Sequence, residues 1–182
     1  MAGFGERMIG AAKLDVNIYE EIEADTTATG QALAVVVISS VAAGIASLRG
    51  GGVMGLALTT VAALVGWFVW AGLTYVIGTK LMPEPDTKAD MGELLRTIGF
   101  SSSPGILRVF GFLPFVGPLI GLAAGIWMLV AFVIAVRQAL DYKSTGRAVV
   151  VCLIGFVVYM VIVFGITVVT GVGAGLMGAA TS

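Results

Sequence analysis

Pro104 to Leu140 reads PGILRVFGFLPFVGPLIGLAAGIWMLVAFVIAVRQAL. As one helix these 37 residues would measure about 55 Å, far longer than a hydrocarbon core of about 30 Å. The stretch is too long for one span, and Pro114-Phe115-Val116-Gly117-Pro118 breaks it. A short apolar limb, Gly105 to Leu113, precedes the break, and a long one, Leu119 to Val136, follows it. The number of membrane segments depends on whether the short limb turns back at the prolines.

Three other uncharged runs are long enough to span: Gly30 to Leu48, Val53 to Ile77 and Ala148 to Thr170. Arg49 and Gly50-Gly51-Gly52 read as the turn of an antiparallel hairpin between the first two. Trp67, Trp70 and Tyr75, late in the second run, suit an interfacial aromatic belt. The basic residues decide the count. With four crossings, Arg7, Lys13, Lys80, Lys88, Arg96 and Arg108 fall on the N-terminal side, against Arg49, Arg137, Lys143 and Arg147. If the short limb descends and 119–136 returns, the N-terminal side holds Arg7, Lys13, Lys80, Lys88, Arg96, Arg137, Lys143 and Arg147, against Arg49 alone. Arg108 then lies at the start of the limb, with its guanidinium snorkelling to the near surface. The stronger asymmetry predicts a cytoplasmic N-terminus and an all-α, polytopic transmembrane bundle of about five segments, the third short and broken.

The composition agrees. Of 182 residues 58% are hydrophobic and 12% charged, with a mean hydropathy of +1.04. A soluble domain carries about a quarter charged residues. There is no histidine and one cysteine, Cys152, so neither a His-based metal site nor an intramolecular disulfide is available. Cys152 reads as a buried small hydrophobe. A net charge of −1 gives no footprint for nucleic acid.

Residues 1–29 form an acidic segment, with Arg7 and Lys13 against Glu6, Asp15, Glu20, Glu21, Glu23 and Asp25. No secretory signal opens the chain. On a helical wheel Phe4, Met8, Ala11, Ile18, Tyr19 and Ile22 share a side, and Glu6, Lys13, Asn17 and Glu20 oppose them. Asp15 falls within the apolar side. One or two short amphipathic helices at the membrane surface are predicted, packed on the rest of the chain or docking a basic partner at Glu20, Glu21 and Glu23. Asp90 to Phe100 reads as another amphipathic helix, and Ser103-Pro104 as the start of the next turn. Residues 30–170 make the transmembrane domain and 171–182 a Gly/Ala-rich tail.

No catalytic, cofactor or metal site stands out. The long spans hold no Asp, Glu, Lys or Arg, which argues against an ion-coupled pump. Walker, GxSxG and HExxH motifs are absent. Gly117-x3-Gly121-x3-Gly125 and Ser40-x3-Gly44 are small-x3-small patterns that let helices approach closely, within the chain or between copies. Gly171-x3-Gly175 repeats the spacing in the tail. Arg108 is the one charge in an apolar limb, a candidate anchor for a lipid phosphate or for the acidic N-terminal helix.

The order of features resembles the bacterial branch of the Yip1 domain family. The similar parts are Arg7-Met8-Ile9-Gly10, Tyr19-Glu20-Glu21-Ile22-Glu23-Ala24-Asp25, Leu94-Leu95-Arg96-Thr97-Ile98-Gly99-Phe100, Ser103-Pro104, Phe112-Leu113-Pro114-Phe115-Val116-Gly117, Ile126-Trp127 and Ala135-Val136-Arg137-Gln138-Ala139-Leu140. The resemblance implies about five membrane segments and a cytoplasmic N-terminus. Eukaryotic members act in vesicle trafficking with Rab-type GTPases, a role not carried over here. What the resemblance implies is a non-enzymatic scaffold or adaptor in the bacterial cytoplasmic membrane, without cofactors, contacting the lipid bilayer and other membrane proteins or itself. The alternatives are a channel or facilitator for a small solute, lined by Gly117, Gly121 and Gly125, or an accessory subunit of a larger bioenergetic complex.

Overall fold

A computed structural model describes residues 2–180, and the side chains of these except at 46–51, 166 and 169–180. The regular structure of the described residues is helical: α1 (Phe4–Ala12), α2 (Val16–Ala24), α3 (Ala28–Val76), a π-helical turn (Ile77–Leu81), α4 (Met91–Ser101), a 3-10 segment (Ser103–Phe112), α5 (Val116–Ala139) and α6 (Thr145–Ala180). Four stretches are long and apolar enough to cross a membrane: Ala28–Ile45, Gly52–Leu81, Val116–Ala139 and Thr145–Gly165. The last helix runs on through the Gly/Ala-rich tail as far as Ala180. The Gly171-x3-Gly175 spacing lies outside the residues whose side chains are described.

The acidic N-terminal segment is two helices. Leu14, at φ 64°, turns the chain, and Asp15 is the N-cap of α2, accepting from the Asn17 amide at 3.0 Å. Asp15 falls among apolar positions on a single wheel because a new helix begins there. α3 is a bent pair of arms. Gly52, at φ 56° and ψ −160°, leaves helical geometry and reverses the chain, a conformation glycine adopts without a Cβ penalty. Gly44 lies against Leu56 across the bend.

α4 and the 3-10 segment form the short limb. Asp90 caps α4, accepting from the Glu93 amide at 2.8 Å, while the Glu93 carboxylate accepts from the Asp90 amide at 2.7 Å. Gly99 packs on Ala32 and Gly105 on Ser39, so the limb descends alongside the first arm of α3. Gly117 lies against the Gly111 backbone, Gly125 beside Arg108, and Gly105 beside Met128. α5 therefore starts at the bottom of the limb and climbs back. Ten residues of 3-10 helix reach only about 20 Å, so the 3-10 segment does not span alone. Pro114 and Phe115, the latter at φ 63°, make the reversal.

Trp67 and Trp70 do not form an outer belt, contrary to expectation. Trp67 is buried and donates to the Leu95 carbonyl at 2.9 Å, and Trp70 packs on Phe132 and Tyr159. Arg108 is half-buried, and its guanidinium lies beside Gly125, partway along α5.

Candidate functional site

The segments at the end opposite the Gly52 bend interlock into a polar cap. Arg7, 1% exposed, pairs with Glu21 at 2.9 Å and Asp25 at 2.7 Å and donates to Gln31 at 3.1 Å, tying α1 to α2 and α3. Arg96 reaches from α4 to the last turn of α2, donating to the Ile22 and Glu23 carbonyls. A cation there answers the partial negative charge of a helix C-terminus. The Tyr142 hydroxyl bonds the Gly78 and Met82 carbonyls at 3.1 and 2.7 Å, closing the π-helical turn. Arg137 holds the following loop through the carbonyls of Tyr142 and Lys143 and the Thr145 hydroxyl. Lys143 pairs with Asp86 at 2.6 Å. Arg147 Nε lies 3.4 Å from Glu84, an ion pair without hydrogen-bond geometry. The N-terminal hairpin, the 82–90 loop and the 140–147 loop thus share one end of the bundle.

The cap surrounds a cleft of about 510 Å³ lined by Glu20, Glu23, Glu93, Arg137, Asp141 and Tyr142 among others. Four acidic side chains and Arg137 line it, with the Arg137 guanidinium bonded to the 142–145 loop. Burial first, and then the charges of Asp141, Glu93 and Glu20, push the Glu23 carboxyl up to about 8, only partly offset by Arg96. Glu20 is exposed and accepts from Gln138 at 3.1 Å. Glu21 differs: it is committed to Arg7 and to the Ala2 amide, which hold its carboxyl below the usual range. The structure therefore brings Glu20 and Glu23 into one cleft and directs Glu21 inward to Arg7. Among the described residues no group of His, Cys, Asp and Glu converges as metal ligands.

A second cavity, of about 690 Å³, lies between both arms of α3, the limb, α5 and α6. Trp67, Trp70, Phe132 and Phe156 supply apolar wall, and Ser39, Ser102 and Arg108 supply polar groups.

The model of the Yip1 domain matches residues 16–165 of this chain. The chain belongs to the Yip1 domain family. No curated protein and no solved structure matches it. The matched region of this Yip1 domain protein starts at α2, yet α1 supplies Arg7, the cation that fastens the cap.

The glycine spacing reads differently once the Yip1 domain is folded. Gly117 is pressed against backbone, Gly121 faces open space, and Gly125 meets Arg108. Inside the chain the three make no common packing face. The buried seam of α5 is Gly117, Ala124, Ala131, Ala135, Val136 and Ala139. Its signal was present as small residues seven apart, the period of near-parallel helix packing. Ser40 donates to the Val37 carbonyl of its own helix at 2.9 Å, while Gly44 touches Leu56 across the α3 hairpin. Cys152 is buried.

Proposed function

We propose that this Yip1 domain protein is a non-enzymatic membrane scaffold or adaptor, with its polar cap in the cytoplasm of a bacterium and a basic segment of a partner protein seated in the Glu20–Glu23–Glu93–Asp141 cleft. The observation that carries the reading is the cleft itself: the side chains of Glu20, Glu23, Glu93 and Asp141 line it with Arg137, and burial together with the neighbouring acidic charges pushes Glu23 toward its neutral form. A cationic partner would relieve the repulsion and gain the paired charge. The orientation is supported by the basic residues of the cap end, against Arg49 at the opposite bend. Among the residues whose side chains are described, the opposite end offers the Gly52 bend and the 113–115 reversal, little surface for an interface of roughly 800 Å² per partner.

The test is the triple substitution Glu20→Gln, Glu23→Gln, Asp141→Asn, with Glu21 and Glu93 kept because they hold Arg7 and cap α4. Purification in native nanodiscs followed by mass spectrometry should recover fewer partners from the variant, which should melt no lower than the parent. An unchanged partner set, or solute flux through liposomes carrying the purified protein alone, rejects the adaptor in favour of the channel.

A further inference from the structure

The cavity between α3, the limb, α5 and α6 contains a cation that no described residue neutralises. Arg108 lies beside Gly125, nine residues from the start of α5 and fourteen from its end, so about 14 Å from one end of the helix and 21 Å from the other. Charged side chains at that depth are costly, face a cavity, and are held by a partner. Among the described residues Arg108 makes no ion pair and no hydrogen bond. The sequence excludes a partner elsewhere in the spans: it has no Asp or Glu between Asp25 and Glu84, between Glu93 and Asp141, or after Asp141. Ser39 and Ser102, on the same wall, also have free hydroxyls among the described residues, whereas Ser40 and Ser101 are satisfied by their own helices.

We propose that this cavity binds a membrane amphiphile, its acyl chain against Trp67, Trp70 and Phe132 and its anionic head, carboxylate or phosphate, on the Arg108 guanidinium. The volume of about 690 Å³ falls within the range of small-molecule pockets, roughly 300–1,000 Å³. A guanidinium takes either head with two parallel hydrogen bonds. The walls come from the membrane segments and the α4 end, so the occupant enters sideways from the bilayer.

Trp67 and Trp70 report on occupancy directly. In a Trp127→Phe background, which removes the exposed third tryptophan, the full chain in detergent is titrated with dibromostearate, its methyl ester, and a brominated lysophosphatidic acid. Saturable quenching is expected from the anionic probes at concentrations at least tenfold below the neutral ester. Preference between carboxylate and phosphate identifies the head. Arg108→Met and, read in parallel, Arg108→Gln should erase the anionic preference, and Arg108→Lys should keep most of it. Equal quenching by the ester, or a preference that survives Arg108→Gln, overturns the proposal. Displacement by inorganic phosphate alone overturns it too, since the site would then belong to a free anion.

Discussion

Arg96 and Glu23, 73 positions apart, meet at the last turn of α2, where Arg96 Nε donates to the Glu23 carbonyl at 3.0 Å. The contact fastens the N-terminal hairpin to the helix that leads down into the membrane. It also sets a guanidinium on the same residue whose side chain is crowded by three other carboxylates. The proposed docking at the cleft and the anchoring of the hairpin therefore act on one residue.

Arg96→Gln removes charge-assisted hydrogen bonds from a site 5% exposed. A loss of about 2 kcal/mol is expected. Limited proteolysis should then cut within 13–27 sooner than in the parent. Lys143→Gln, at an exposed pair with Asp86, should leave both melting and proteolysis unchanged. Equal behaviour of the two variants would contradict this account of the cap.

Glu23 makes stability fall as pH rises. Its carboxyl ionises near 4.5 when unfolded and near 8 in the fold. Between these values the folded state holds a proton that the unfolded chain has released, so stability is lost on raising the pH through that window. Asp25, held down to about 2 by Thr27 and Arg7, acts in the opposite sense, with its contribution complete above the ordinary aspartate range. Melting temperature should peak at roughly pH 4–5 and decline toward 8. Glu23→Gln should flatten that decline and raise the melting temperature at pH 8. An equally steep decline in the variant would remove Glu23 as its source.

Gly117→Leu should cost about 1–3 kcal/mol, because any side chain there meets the Gly111 backbone. Gly121→Leu should be tolerated in the monomer, since nothing lies within 4 Å of its would-be Cβ. Thermal melting in detergent separates them, and matching losses would restore a continuous glycine face.

Single cysteines at Lys88 and Ser144, in a Cys152→Ser background, should react with an impermeant thiol reagent from the same side of the membrane. A cysteine at Gly52 should react from the other. Lys88 and Ser144 flank the Lys143–Asp86 pair and Gly52 marks the opposite bend. Labelling of all three from one side would break the assignment of ends.

The sequence alone determined what the chain dissolves in, where its long spans lie, where the 104–140 stretch breaks and which loops share an end. Each follows from sums over neighbouring residues: uncharged runs longer than a bilayer needs, proline without a donor, and charge counted loop by loop. Only the tertiary structure decided how the residues are used. On a wheel Glu21 looks as free as Glu20, yet it is held by Arg7 from another helix. Gly121 carries the same spacing as Gly117 but faces no neighbour, while Ala124 and Ala131 carry the seam. Trp67 turned inward because α4 offered it a carbonyl, and Arg108 turned into a cavity that three other elements enclose. These outcomes depend on partners tens of residues away, and burial, pairing and ionisation are set by those partners rather than by the residues on either side.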